Sequence, residues 1–217
     1  MPENSPFDPT RYPPLKINSS TTSVGLVANP VSARDIRRVI ANATSLQVAD
    51  RANIIMRVLA AMSACGVNQV LMMPENGGIC SLLKRGLQRE QKLGDNRFPK
   101  LEMTDTPISG TVDDTFAATQ AMVASGVKAI VVLGGDGTHR AVVKVCGQVP
   151  IAGISTGTNN AFPEHREPTI TGLAVGMVAT GRIPEGIAFA TNKLLRVEIN
   201  GGERSDIALV DVVVSTE

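Results

Sequence analysis

The segment 129–140, AIVVLGGDGTHR, joins an apolar run to a glycine-rich loop and decides the fold class of the chain. Its first five residues are apolar without interruption, which is typical of a strand buried in a parallel sheet. Gly134 and Gly135 then allow a tight turn that brings backbone N–H groups close to an anion, and Gly137 allows a second close approach. Thr138 is predicted to cap the following helix, whose N-terminus adds donors and a partial positive charge. Strand, glycine loop and helix in this order predict an α/β fold with a phosphate-binding loop.

Asp136 is the unusual member of this loop. A carboxylate repels phosphate unless it holds Mg²⁺ or accepts a proton from an attacking hydroxyl, so glycines around a single carboxylate favour phosphoryl transfer over simple phosphate binding. The alternative is a tight strand-to-helix turn in which Asp136 is a solvated residue. The chain has no GxxxxGK[ST] sequence, and the dinucleotide pattern GxGxxG fails at Arg140, where a third glycine is required. These absences argue against a Walker-type loop and against an oxidoreductase.

Two further polar loops follow predicted strands. The run Thr156, Gly157, Thr158, Asn159 and Asn160 offers small hydroxyl and amide groups that can bond phosphates or ribose hydroxyls without adding charge. Asn29, followed by Pro30, ends the first predicted strand. Each loop by itself is typical of an ordinary turn. All three loops, however, lie at predicted carboxyl ends of strands, where ligands bind on parallel sheets, and this shared placement predicts one nucleotide site.

Short apolar strands alternate with helical patterns along most of the chain. Strands are predicted at 24–28, 67–73, 101–103, 129–133 and 151–154, and helices at 51–65, 79–90, 116–124, 138–145 and 171–180. The alternation predicts a Rossmann-like, mostly parallel sheet with helices on both faces. We expect this nucleotide-binding α/β domain to span residues 23–184.

The two flanking regions have a different character. Residues 1–22 are rich in Pro, Ser and Thr and are expected to form a flexible arm. After Pro184, strands are predicted at 189–199 and 207–215, joined through the turn Asn200-Gly201-Gly202. Residues 185–217 are therefore expected to begin a β-rich second domain. The apolar strand that ends at Glu217 predicts a truncated domain, because an unpaired edge there is a liability.

Composition restricts the possible partners. The 217 residues carry a formal net charge of +1, with five Phe, one Tyr and no Trp, which argues against a nucleic-acid surface. No run reaches the roughly 18 apolar residues of a membrane span. Cys65, Cys80 and Cys146 have no CxxC spacing and are expected to be buried free thiols in a reducing compartment. We predict a cytoplasmic protein that binds small-molecule nucleotides, and we expect a homo-oligomer without nucleic acid or membrane span.

The charged and titratable residues after the glycine loop offer few ligands. His139 and His165 are the two histidines of the chain, and with no second ligand at suitable spacing no protein-held metal site is predicted. His139 is predicted to lie on the helix surface, with a phosphate contact as the alternative. Arg140 and Lys144 can neutralise phosphate charge, but on such a helix they are more typical of solvated residues.

The longer run 110–140, GTVDDTFAATQAMVASGVKAIVVLGGDGTHR, resembles the ATP–NAD kinase superfamily, especially the branch named for acetoin catabolism protein X. The Asn-Pro after the first strand and the polar loop after the fifth strand share this resemblance, which covers most of 24–180. It implies the N-terminal domain common to NAD kinases and diacylglycerol kinases. It also implies that Asp136 activates the acceptor hydroxyl and that Asn29 lines the nucleotide site. The residues implied to hold the nucleotide are Gly134, Gly135, Gly137, Thr138, Thr156, Gly157, Thr158, Asn159 and Asn160.

The function implied by this resemblance is an ATP-dependent kinase that uses Mg²⁺, with NAD as the favoured acceptor. The loop at 156–163 is closer to the Gly-Thr-Gly-Asn-Asp loop of diacylglycerol-type kinases than to the Asn- and Gly-rich loop of NAD kinases. The Asn-Glu pair that binds NAD near the domain junction is not evident in the sequence. A lipid or other small-metabolite kinase of the same fold is therefore an open alternative. A nucleotide-binding accessory protein of acetoin catabolism, without turnover, is the other.

Overall fold

The structure is a computed structural model that describes residues 21–30, 46–94, 97–156 and 160–215. Most of the arm predicted at 1–22 lies outside the described residues. So do three residues of the predicted nucleotide loop, Gly157, Thr158 and Asn159.

A five-stranded parallel sheet forms the centre of the fold. Its strands are β1 Ser23–Ala28, β2 Gln69–Met72, β3 Lys100–Met103, β4 Ile130–Gly134 and β5 Ile151–Ser155. They are arranged in the order β3-β2-β1-β4-β5. The order reverses direction between β1 and β4, so these two strands flank the switch point at which parallel sheets bind ligands. The predicted Rossmann-like sheet is confirmed.

Helices cover both faces of this sheet. They are α1 Val48–Ala64, α2 Ile79–Lys92, α3 Val112–Ala124, α4 Asp136–Val145 and α5 Pro168–Ala179. Alternate residues of one strand point to opposite faces, so Leu26 of β1 packs in the core under α1, α2 and α5, whereas Val27 packs under α3 and α4. All six residues of β1 and all five of β4 are buried, which is why both strands read as uninterrupted apolar runs.

Four helices begin earlier than predicted, and three of them are extended by side-chain hydrogen bonds at their first turn. α3 begins at Val112 rather than at 116, where the Thr111 hydroxyl accepts the Asp113 N–H at 3.2 Å. α1 begins at Val48, where the backbone N–H of Gln47 donates to Asp50 Oδ2 at 3.2 Å. α5 begins at Pro168, because a proline suits the first turn and the Glu167 carboxylate accepts the Ile170 N–H at 2.8 Å. α4 begins at Asp136, with Gly135 rather than Thr138 at its N-cap.

The chain after residue 184 confirms a β-hairpin but corrects its bounds. Strands β6 Leu195–Ile199 and β7 Arg204–Ala208 pair antiparallel through a turn of 3-10 helix at Asn200–Gly202. Residues 189–194 and 209–215, predicted as strand, are not strand, and the short helix α6 Glu185–Ala188 was not predicted. Strand propensity needs a pairing partner and a packed face, and Val213 and Val214 are 84% and 90% exposed.

The three cysteines are buried free thiols, as predicted. Burial is the main cause that raises the pKa of Cys80, to about 11, and it also raises that of Cys146. Within the part of the chain that the structure describes, no helix combines the length and the apolar character that crossing a bilayer requires.

Replacing Gly172 with Ala is expected to destabilise the contact between α1 and α5. A Cβ atom there would lie 2.7 Å from the Val58 carbonyl oxygen and 2.8 Å from Ala61 Cβ, so the helices must separate. We expect a loss of about 1–3 kcal/mol, which lowers the melting temperature by about 2–4 °C per kcal/mol. Gly186→Ala is the matched control, because its Cβ meets nothing within 4 Å. Equal melting temperatures of the two variants would contradict this packing.

Candidate functional site

The three loops predicted to bind nucleotide meet at the carboxyl edge of the sheet. The Asn29 backbone N–H donates to the Leu133 carbonyl at 3.2 Å, and its side-chain Nδ2 donates to Thr138 Oγ1 at 3.3 Å. The backbone N–H of Thr156, at the end of β5, donates to the Gly134 carbonyl at 3.4 Å. The structure therefore brings the described members of the predicted set together at the ends of β1, β4 and β5.

Close packing explains the glycines at the end of β4. A Cβ atom on Gly134 would lie 2.6 Å from Thr138 Cβ, and one on Gly135 would lie 2.8 Å from Asn160 Oδ1. A Cβ atom on Gly137 would meet nothing within 4 Å, so the backbone at that position is open to an approaching ligand. Thr138 does not cap the helix, because α4 begins two residues before it and Thr138 is buried. Its hydroxyl instead accepts the Asn29 amide.

Asp136 is the first residue of α4 and is held by the loop after β5. Its Oδ1 accepts the Phe162 N–H at 2.9 Å and its Oδ2 accepts the Ala161 N–H at 3.0 Å. The carboxylate is half-buried and accepts two backbone N–H groups, so Asp136 is not merely a solvated turn residue. Each carboxylate oxygen has two acceptor sites, and therefore both oxygens retain capacity for a hydroxyl donor. Ala161 and Phe162 were not predicted as site residues, because a main-chain donor leaves no signal in side-chain type.

Asn160 connects the two loops through its side chain. Its Oδ1 accepts the Asp136 N–H at 3.4 Å, and its Nδ2 donates to Ser155 Oγ at 2.9 Å. Thr156 and Ser155 are both buried beside it. The predicted nucleotide-binding amide of Asn160 is thus engaged within the protein, where it fixes the position of Asp136.

His139 is buried, and its predicted location on the helix surface is wrong. Its Nδ1 lies 3.0 Å from the Gly135 carbonyl, which can only accept, so the proton is on Nδ1. Burial holds the pKa of His139 below its usual value, while the Gly135 carbonyl and the Asp136 charge oppose this shift, and the ring is neutral at pH 7. The spacing of His139 and Val142 in α4 and of Cys146 at its C-cap, at i, i+3 and i+7, marks one buried face and could have revealed the burial of His139.

Arg140 and Lys144 do not point into the loop site but bind Asp206 of β7. Their side-chain nitrogens lie 2.6 and 3.1 Å from the two Asp206 carboxylate oxygens. Partial burial opposes ionisation of Asp206, but the Ile207 N–H and the two cations outweigh it and hold its pKa at about 2. Both side chains are about half exposed, as the prediction of solvated residues requires, but both are also paired with Asp206, which was not predicted.

Replacing Asp206 with Asn is expected to loosen the β6–β7 hairpin on α4. The ion pairs are about half exposed, so the loss of stability should not exceed about 1 kcal/mol. Protection of the β6–β7 backbone amides against hydrogen exchange, relative to their intrinsic rates at the same pH, should nevertheless fall. Wild-type protein should show the same loss of protection as pH falls below 3.8 towards 2, where Asp206 becomes protonated. Glu203→Gln at the hairpin turn is the control. Unchanged exchange in Asp206→Asn would show that these ion pairs do not hold the hairpin.

Comparison with known proteins agrees with the fold and the loops. The sequence profile of the ATP-NAD kinase N-terminal domain matches residues 24–183. Acetoin catabolism protein X of Cupriavidus necator is 60% identical over 197 residues, which are 89% of this chain and 55% of that protein, so the chain spans about half the length of this relative. No solved structure matches the chain. Since the matched region includes the parallel sheet, apart from Ser23 at its start, and the loops at its carboxyl edge, the chain belongs to the ATP-NAD kinase superfamily.

Proposed function

We propose that this chain carries the nucleotide-binding part of an ATP-dependent kinase, which transfers a phosphoryl group to a hydroxyl and favours NAD as the acceptor. The observation that carries the proposal is the placement of Asp136, which stands between two loops and retains acceptor capacity on both oxygens. We also propose that the protein is cytoplasmic and forms a homo-oligomer. The activity of the whole protein is proposed as well, because the chain spans about half of its relative.

The carboxyl edge of the sheet suits the phosphates of ATP. α4 has 10 residues, and its N-terminus presents a partial positive charge where the backbone at Gly137 is open. Gly134 and Gly135 allow the close packing that keeps this helix against the sheet, and Asn29 secures Thr138. In the described ranges no three His, Cys, Asp or Glu side chains form a metal cluster. Mg²⁺ that arrives with ATP would be held chiefly by phosphate oxygens and water, and it would neutralise phosphate charge.

The proposed reaction is an in-line phosphoryl transfer. Asp136 accepts the proton of the acceptor hydroxyl as the oxygen forms a bond to the γ-phosphorus. The bond between that phosphorus and the β–γ bridging oxygen breaks, and its electron pair leaves with ADP. The Ala161 and Phe162 amides keep the carboxylate in place for this step, which is a contribution of positioning.

An acceptor screen tests the proposal. The protein would be incubated with ATP and Mg²⁺ and, in separate reactions, with NAD, a diacylglycerol and small hydroxylated metabolites. The proposal predicts NADP as the main product. Phosphorylation of the lipid or of a metabolite in its place would favour the alternative kinase, which the polar loop at 156–163 supports. If none of the acceptors is phosphorylated, the kinase proposal is contradicted.

A second candidate is a nucleotide-binding accessory protein of acetoin catabolism, without turnover. The name of the relative, acetoin catabolism protein X, favours it. The hydrogen bonds of Asp136 within the protein are compatible with this candidate, because a carboxylate that only holds two loops together needs no substrate hydroxyl. This candidate predicts saturable binding of ATP and no phosphorylated product from any hydroxyl compound.

A further inference from the structure

The His139 ring lies where the glycine loop, β5 and the loop after β5 meet. On the side of the glycine loop, the Gly135 carbonyl accepts three N–H groups: those of the Thr138 and His139 backbones, at 3.0 and 3.1 Å, and His139 Nδ1, at 3.0 Å. The side-chain bond adds to the first turn of α4 a contact that the helix backbone does not supply. It fixes the peptide unit that joins Gly135 to Asp136.

The opposite edge of the ring contacts β5 and its loop. A Cβ atom on Gly153 would lie 2.6 Å from His139 Nε2 and 3.1 Å from Cδ2, so the ring occupies the space that this glycine leaves. The Phe162 ring packs beside it, with the ring centroids 5.7 Å apart. Phe162 is also the residue whose N–H binds Asp136 Oδ1. One imidazole therefore touches both the peptide before Asp136 and the residue that holds its carboxylate.

We propose that His139, as the neutral ring protonated on Nδ1, is a positioning residue that sets the two loops around Asp136. The inference rests on the proposed function for its catalytic consequence. Among the described residues Nε2 is buried without a hydrogen-bond partner, which is a cost that an apolar side chain of similar size would avoid. The bond from Nδ1 to Gly135 is what the histidine supplies in return.

Protonation of the ring should disturb the same arrangement. It would place an N–H donor at Nε2 against Gly153, in a fully buried position where Nε2 has no hydrogen-bond partner among the described residues. The Asp136 charge, on the same helix, and the Val132 carbonyl of β4 favour the protonated ring, but burial outweighs them. Gly153 of β5 and the Phe162 and Pro163 side chains of the following loop carry no charge. The neutral form is thus the one that this environment accepts.

Three substitutions separate the two ring nitrogens. His139→Asn places an amide donor where Nδ1 stands, His139→Gln places one where Nε2 stands, and His139→Leu fills the space without a donor. We expect the Asn variant to keep the amide NMR resonances of Asp136 and Phe162 and a near wild-type rate. The Gln and Leu variants should shift both resonances and lose about 10²-fold in kcat, because a displaced catalytic group costs about that much.

The pH dependence provides a readout that general destabilisation does not move. In wild-type protein the Asp136 and Phe162 resonances should titrate together with the His139 ring, at a pH below 6.5, and in the Asn variant this titration should disappear. The wild-type titration decides the question even if every variant fails to fold. The inference would be overturned if the Asp136 and Phe162 resonances did not change as the His139 ring titrates. It would also be overturned if the folded Leu variant had wild-type resonances and a wild-type rate. If the resonances respond but no acceptor is phosphorylated, the positioning of Asp136 stands and the proposed kinase fails.

Discussion

Asp136→Asn is expected to lower the rate of phosphoryl transfer by about 10²–10⁴-fold, because the amide cannot accept the hydroxyl proton. ATP should still bind, since the α4 N-terminus and the backbone at Gly137 are unchanged. The substitution also removes one of the two oxygens that hold the Phe162 and Ala161 amides. We therefore expect a loss of about 1–3 kcal/mol in the free energy of unfolding, measured by urea denaturation.

Asp105→Asn is the matched control for this variant. Asp105 is exposed after β3, which β2 separates from the strands that carry the three loops, and the chemical change is the same. Its rate and stability should equal those of the wild-type protein. A rate for Asp136→Asn within a few-fold of the control would show that the carboxylate only fastens the loops.

Gly134→Ala is expected to displace the first turn of α4 and to weaken nucleotide binding. The new Cβ would lie 2.6 Å from Thr138 Cβ and 2.7 Å from its hydroxyl, and Thr138 is buried and β-branched, so the helix must move. The free energy of unfolding should fall by about 1–3 kcal/mol. Affinity for ATP, measured by calorimetry, should fall about tenfold or more, which corresponds to about 1.4 kcal/mol of binding free energy.

Gly137→Ala separates packing from ligand contact in the same loop. Its Cβ meets nothing within 4 Å, so stability should be unchanged or slightly higher. If the phosphates occupy the open space beside it, affinity for ATP should nevertheless fall. Wild-type affinity in this variant would contradict that location of the phosphates.

The sequence contained enough information for the sheet and for the meeting of the three loops. Buried parallel strands such as β4 are apolar throughout, and their carboxyl ends share one edge, so Asn29, Asp136 and Asn160 could be placed together without a structure. The family followed from the same motifs and is confirmed by the profile match. The roles assigned to these residues in binding ATP, NAD and Mg²⁺ stay predictions.

The details that sequence could not supply depend on contacts between distant segments. Asp136 was interpreted through its charge towards phosphate, whereas its partners are backbone amides about 25 residues later, which no side-chain pattern reveals. His139 was predicted to be on the helix surface because its side chain is polar, although its spacing along α4 matches that of the buried residues. Residues 209–215 looked like a strand because valine favours strands, but a strand also needs a neighbour to pair with. Arg140 and Lys144 bind Asp206, which lies more than 60 residues later in the sequence.

Phosphorus NMR of ATP, Mg²⁺ and NAD mixed with the wild-type protein tests the central claim most directly. The kinase proposal predicts that the γ-phosphate signal of ATP disappears while a phosphomonoester signal of NADP grows, and that Asp136→Asn leaves both signals almost unchanged. If ATP binds but its γ-phosphate forms no phosphomonoester with NAD or with any other hydroxyl compound, this site does not transfer phosphate and the claim is wrong.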